Sequence, residues 1–532
     1  MPDGADTGWR TTDSLGGPGS PGDPVDPVAA GGELPREPSL VDAVVPLVLL
    51  ALLIGGALWL FGLDALDGPI QVALVLCAMV AGLIAMKNGH SWDQVQHATQ
   101  GSVASVTSAI FILLSVGALI GVWNLSGTIP TLVYYGIQLL SPGWYYAAAA
   151  LICGVIALSI GSSWTTAGTI GVGLVGIAVA LDVSPEITAG AVVSGAYLGD
   201  KLSPLSETTI LSAQMVGVDV YDHVKRQAWT SIPAFAVAIV GFLVISAVHG
   251  QEGANLVPES VELAALGDVY HITPLNLLPL VLLAALSIRK VPASLALMAA
   301  TLFAGVCGAF LQPDVVQGFA QGGGGAVIES IEAVWRAAAT GFQMDSGIAE
   351  VDQLVSRGGM SSMLPTIWLI IGAVTFGALL EEFGMIGRLV DPLIAAAKTT
   401  GRLFATVFAT AFGLNLVAGD QYIALILPTK VFRAEFARRG LAPTNLSRLA
   451  ADSGTVTSPL VPWNSCGAFM GAVLGVSALQ YLPFAFFNLA SPALSVAYGF
   501  TGFRIERLAP NGAPEDLDRP AAATPPAQPA KE

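Results

Sequence analysis

The chain has 532 residues, 54% of them hydrophobic and only 11% charged, with a formal net charge of −16. A water-soluble protein of this length needs more charge to solvate its surface, and apolar runs of membrane-spanning length recur along the chain. The expected class is an all-α polytopic membrane protein. No basic stretch is interleaved with aromatics, which argues against nucleic acid as a partner.

Residues 1–38 are rich in Gly, Pro and Asp with almost no apolar periodicity, which predicts a disordered acidic tail. No basic stretch leads into an apolar one there, so the tail does not read as a signal peptide. A first transmembrane helix is expected within 39–68, its apolar run at 41–61. A first membrane repeat is expected at 69–250, with runs at 69–86, 110–122, 145–160 and 232–248. The loop 251–271 carries Glu252, Glu259, Glu262 and Asp268 and no Lys or Arg, and is expected outside the cell. A second membrane repeat is expected at 272–504, with runs at 277–288, 291–311, 364–380 and 482–500. Residues 505–532, rich in Pro and Ala, predict a second disordered tail. No soluble segment is large enough for an enzyme.

Lys and Arg collect at the cytoplasmic ends of spans. Lys87, Lys225, Arg226, Arg289, Lys290, Arg504 and Arg507 fit one alternation with both termini in the cytoplasm of a multi-pass cell-membrane protein. The four cysteines and five histidines form no metal-ligand spacing and read as packing or segment-end residues.

The two halves resemble one another. SVGALIGVWNLSG is matched by IGAVTFGALLEEFG, with Gly121 and Gly377 at like places. GSSWTTAG (161–168) is matched by VAGDQY (417–422), and LSPLSE (202–207) by TSPLVP (457–462). Three matches in order at one spacing point to a duplication. The run at 72–86 ends on Lys87, whereas its counterpart at 291–311 follows Arg289 and Lys290, so the repeats are expected to be inverted.

Each half is expected to hold a re-entrant hairpin and then a discontinuous helix. The first hairpin enters from outside, with its tip at Ser162, Ser163, Thr165 and Thr166. The second enters from the cytoplasm, with Gly419 and Asp420 at its tip and a basic return to Arg439. The broken helices are expected at GDKLSPLSETT and DSGTVTSPLVPWNSCG, where Pro204, Pro459 and Pro462 remove backbone donors. Non-helical backbone at membrane depth persists where protein buries it or where it lines a cavity.

The polar residues in these breaks are the functional candidates. Asp200, Lys201, Ser203, Ser206, Glu207, Thr208 and Thr209 lie in one; Asp452, Ser453, Thr455, Thr457, Ser458, Asn464 and Ser465 lie in the other. Intramembrane carboxylates mark ion or proton paths. Oxygen ligands suit Na+, and a buried carboxylate can also carry a proton. A site that takes Na+ or H+, but not both, performs exchange. Structural roles stay open: Asp200–Lys201 also reads as an ion pair, Asp452 as a helix cap, and Glu381 and Glu382 as solvated interface residues. Trp164 and Trp463, each in a break, are candidates for lining the pocket.

At GSSWTTAGTIGVGLVGIA (161–178), GAYLGDKLSPLSETT (195–209) and DSGTVTSPLVPWNSCG (452–467) the chain resembles the NhaC family of Na+/H+ antiporters. The likeness runs over roughly residues 65–500. It implies exchange of cytoplasmic Na+ for external H+, inverted repeats, and a homodimer with a fixed scaffold and a part that moves like an elevator. It also implies that Asp200, Ser203, Ser206, Glu207, Asp452, Thr457, Ser458, Asn464 and Ser465 form the ion and proton site, with Na+ in the Asp200/Asp452 region. No cofactor is implied beyond the transported Na+ and H+. Proteins of similar pattern exchange malate for lactate or move amino acids. A carboxylate or amino-acid exchanger is therefore the alternative, with Lys201 holding the substrate carboxylate.

Overall fold

A computed structural model describes residues 35–253, 266–347, 352 and 355–508. Most of each expected tail, and the part of the acidic loop at 254–265, lie outside the described residues. Among the described residues the fold is helical, with one isolated bridge between Leu441 and Arg507. Nine helices among them are long and apolar enough to cross a membrane.

The first half begins with α1 (Leu40–Phe61) and α2 (Pro69–Lys87). Ser39 and Asp42 cap α1 reciprocally, and Lys87 holds the Asp42 carboxylate at 2.5 Å, tying the start of α1 to the end of α2. Helix α3 (Trp92–Leu125) has 34 residues. It is longer than the hydrophobic run at 110–122 because its first half is polar and starts from a capping box at Ser91 and Gln94. Then come α4 (Thr128–Leu139), α5 (Tyr145–Ile160), the short α6 (Ser163–Thr166), a wide turn at Ala167–Gly171, and α7 (Val172–Ala180). Helix α8 (Pro185–Leu202) breaks before α9 (Glu207–Val216), and the long α10 (Val220–Gly253) follows.

The second half contains α11 (Leu278–Ile288), α12 (Ala293–Leu311), α13 (Pro313–Phe319), α14 (Ala326–Thr340), α15 (Leu364–Glu382) and α16 (Met385–Ala396). Helices α17 (Thr400–Val417) and α18 (Gln421–Arg438) pack side by side. Helix α19 (Pro443–Ala450) passes through a wide turn at Ala451–Thr455 and a short turn at Ser458–Leu460 before α20 (Ser465–Leu474). Helices α21 (Ala478–Tyr481) and α22 (Phe486–Thr501) close the chain.

Part of the order of elements recurs in the two halves. Helices α4 and α16 each have 12 residues and start after a left-handed glycine, Gly127 and Gly384, both at φ 74°. A left-handed glycine separates successive helices at Gly161 (φ 77°) and Gly419 (φ 62°), and in each case the next side chain, Ser162 or Asp420, caps the following helix. Two of the expected boundaries shift. Ser163–Thr166 is helical, because the Ser162 cap starts the next helix at once. The first break is confined to residues 203–206, because Pro204 has no N–H to continue α8, whereas Asp200 and Lys201 remain helical.

Polarity is arranged for lipid. Trp59, Val240, Leu302, Val306 and Phe310 are exposed, while Asp200, Lys201, Arg448 and Asp452 are buried. Helix α8 lies closely on α5. A Cβ on Gly195 would run into the Ala150 carbonyl, and one on Gly199 into Ala157. Small residues four apart let the two backbones meet, and this seam carries Asp200 and Lys201 at its end.

Candidate ion-binding site

Asp200 is 5% exposed and surrounded by hydroxyls. Ser163 Oγ donates to its Oδ2 at 2.9 Å, Ser206 Oγ to its Oδ1 at 2.5 Å, and Thr208 Oγ1 to its Oδ1 at 3.5 Å. Ser206 and Thr208 also lie 2.9 Å apart, and Thr209 Oγ1 donates to the Asp200 carbonyl at 2.8 Å. The break produces this arrangement: once α8 stops, the chain turns back so that the first residues of α9 face the last turn of α8. Of the candidates Ser162, Ser163, Thr165 and Thr166, Ser163 alone hydrogen-bonds to Asp200. Ser162 caps Thr165 and accepts its hydroxyl, and Thr166 Oγ1 donates to the Ser162 carbonyl. Ser203 shapes the turn, its carbonyl accepting from the Ser206 N–H at 3.2 Å. Glu207 stands apart. Its carboxylate is exposed and accepts from Tyr422 Oη at 3.0 Å, so it is not a partner of Asp200.

Lys201 points elsewhere. It forms an ion pair with Asp452 and donates to Ser491 Oγ at 2.8 Å. Ser491 Oγ and Thr230 Oγ1 in turn donate to Asp452 Oδ1 at 2.8 and 3.2 Å. Lys201 is 1% and Asp452 0% exposed, and Lys201 Nζ sits 5.5 Å over the Phe487 ring. The expected pairing of Lys201 with Asp200 is thus replaced by a pair that ties α8 to the wide turn after α19 and to α22. The expected single Asp200/Asp452 site is divided. One acid is neutralised by an ammonium, and the other has no Lys or Arg partner among the described residues.

The second half builds its own amide cluster. Asn415 Nδ2 donates to the Gly454 carbonyl at 2.7 Å and to Thr457 Oγ1 at 2.9 Å, and Asn464 Nδ2 donates to Asn415 Oδ1 at 3.0 Å. Ser458 Oγ is turned back to the Thr455 carbonyl, and Ser465 joins through its N–H to the Gly419 carbonyl at 2.8 Å. Asp420 caps α18, accepting from the N–H groups of Tyr422 and Ile423. Asn415, Ser491, Thr230 and Tyr422 were not among the expected site residues. A lone amide in the apolar stretch FGLNLV was a usable signal for Asn415; Ser491 and Thr230 carry none in sequence.

The halves meet beside the Asp200 cluster. Trp164, next to Ser163, stacks on Phe469 of α20 with centroids 4.1 Å apart and planes at 15°. Trp463 Nε1 donates to the Leu416 carbonyl at 2.7 Å, locking the second break onto the end of α17.

The chemistry follows from the donor set. An isolated carboxylate in a low-dielectric interior is costly unless its charge is cancelled. Each hydroxyl around Asp200 can donate to the carboxylate or turn a lone pair toward a cation. The cluster therefore has two neutral forms: a protonated acid, or a carboxylate with a small hard cation held by Asp200, Ser163, Ser206 and Thr208.

A family model described as the Na+/H+ antiporter family matches residues 42–251 and 195–503. The Na(+)/H(+) antiporter NhaC of Alkalihalophilus pseudofirmus is 35% identical over 467 residues, 87% of this chain and 97% of its own. The malate-2H(+)/Na(+)-lactate antiporter of Bacillus subtilis is 33% identical, over 88% of this chain and 96% of its own. The arginine/ornithine antiporter ArcD of Halobacterium salinarum is 34% identical, over 92% and 97%.

Proposed function

We propose that this chain, which belongs to the Na+/H+ antiporter family, moves cytoplasmic Na+ out against H+ entering, with both ions competing for Asp200. The observation that carries this reading is the charge balance. Asp200 is buried among three hydroxyls with no cationic partner among the described residues. Protonation and Na+ binding each neutralise it, and they exclude each other. Asp452 has a different part: its charge is held by Lys201, and the pair braces the two halves around the site.

Orientation belongs to the same proposal. Arg226 pairs with Glu506, and Leu441 bridges to Arg507, which draws the start of α10, the end of α18 and the end of α22 to one end of the molecule. That end carries Arg438, Arg439, Arg504 and Arg507, which supports a cytoplasmic assignment and cytoplasmic termini. Inverted repeats, re-entrant hairpins and a homodimer with a moving transport part complete the reading, on the family resemblance and the partly matched order of elements.

The organic-acid alternative gives Lys201 the substrate carboxylate to hold, but Lys201 is committed to Asp452 and Ser491, so that particular role is not open to it. Everted vesicles carrying the protein, with a pH-sensitive dye, test the proposal. Added Na+ is expected to dissipate the proton gradient, whereas malate, lactate, arginine or ornithine without Na+ leaves it in place. Dissipation by one of the organic substrates and none by Na+ would overturn the proposal.

A further inference from the structure

We infer that the cavity between α3, α15 and α18 holds a second cation site, built from Glu381 and Asp420, that loads Asp200 from the cytoplasm. The inference rests on the exchange reading and adds a place for the ion before it reaches the site.

The cavity measures about 730 Å³. Its wall includes His97 and Ser102 from α3, Glu381 and Glu382 from the end of α15, and Asp420 and Lys430 from the α18 segment. Three carboxylates face one ammonium, and none of these four groups forms an ion pair among the described residues. A concave surface with an excess of negative charge and low-dielectric walls concentrates cations.

Asp420 supplies the specific ligand. It is 7% exposed. Its Oδ1 is used in capping α18, accepting from the Tyr422 and Ile423 N–H groups at 2.8 and 3.1 Å. Its Oδ2 accepts no hydrogen bond among the described residues and is not sealed in the interior, so it opens on the cavity that the residue lines. Carboxylate oxygens, a serine hydroxyl and retained water make a hard-oxygen set suited to Na+ rather than to a transition metal.

The cavity also leads to the site already described. Tyr422 lines it and donates through Oη to Glu207 at 3.0 Å. Glu207 adjoins Ser206, whose hydroxyl rests on Asp200. Tyr422 therefore brings the cavity up to the residue beside Ser206, next to the Asp200 cluster. The sequence of events is capture at Glu381 and Asp420, transfer to the neighbouring Asp200 cluster, and exchange for the proton there.

Radioactive Na+ binding to the purified full-length protein, with Na+ titrations of exchange in everted vesicles, tests this. Asp420→Asn keeps a good helix cap, and Glu381→Gln keeps shape without charge. Asp200→Asn is expected to retain Na+ binding, and the triple variant Asp200→Asn/Glu381→Gln/Asp420→Asn to lose it. In vesicles, Glu381→Gln and Asp420→Asn are each expected to raise the half-saturating Na+ concentration about tenfold, as for one lost charge contact, while the rate at saturating Na+ is retained. Loss of all Na+ binding in Asp200→Asn, or binding that survives in the triple variant, would overturn the second site. Half-saturation unchanged in both single variants would overturn its loading role. Failure of the exchange reading is distinguishable, because it appears as absent Na+-driven proton movement in the wild type whatever the binding shows.

Discussion

Asp200→Asn is expected to abolish Na+-driven proton movement while leaving the protein folded in the membrane. Asparagine has the same shape. Its carbonyl oxygen can accept from Ser206 and its amide can donate to Ser163, so the turn that joins α8 to α9 keeps its hydrogen bonds. What is lost is the only charge in the cluster. Removing the counter-charge of a buried cation costs about 3–5 kcal/mol, equivalent to about 10²-fold or more in Na+ affinity, and an amide carries no exchangeable proton. Exchange in everted vesicles should fall to the level of vesicles without the protein, at matched expression and with a monodisperse profile in detergent. Near-normal exchange would make Asp200 a structural residue.

The second large effect is on stability. Lys201→Met leaves Asp452 charged and buried, with Oδ2 lacking a partner and only Thr230 and Ser491 on Oδ1 among the described residues. Breaking one side of such a pair is expected to cost about 3–5 kcal/mol. Removing both charges in Lys201→Met/Asp452→Asn should recover most of that loss, because a neutral pair needs no compensation. Thermal unfolding in detergent should show a marked drop in the single variant and a near-native midpoint in the double one. The double variant should also keep Na+-driven exchange, since Asp452 braces the site without holding the ion. A single variant as stable as the wild type would remove the bracing role, and a stable but inactive double variant would return Asp452 to the ion path.

Much of this architecture is legible in the residues, and the failures have a common cause. Gly161, Gly419 and the three prolines at positions 204, 459 and 462 act through their own backbone, so helix ends and breaks can be read from them directly. Which side chain meets which is decided by helix rotation. Asp200 and Lys201 are neighbours in sequence, but successive residues on a helix point about 100° apart. One therefore faces the α9 hydroxyls and the other faces α22. Ser491 and Thr230 are ordinary small polar residues in apolar helices until Asp452 is placed beside them. The polar first half of α3 carries no apolar run, yet it lines the cavity that reaches Asp420. Glu207, expected in the site from its place in the break and from the family resemblance, lies at the first position of α9, where its carboxylate accepts from Tyr422 instead of joining the Asp200 hydroxyls.

The central claim is that one buried carboxylate holds either Na+ or H+. Its most direct test is the apparent Na+ affinity of exchange, measured in proteoliposomes at several pH values. Protonated Asp200 binds Na+ poorly, so the competent fraction of transporters scales the affinity. As pH rises, that fraction grows and the affinity should climb by up to about tenfold per pH unit, then level off once the carboxylate is fully ionised. Ser163→Ala and Ser206→Ala, which remove ligands that do not titrate, should lower the plateau. A Na+ affinity that stays flat over about two pH units on both sides of neutrality would mean that Na+ and H+ occupy separate sites, and would contradict the account.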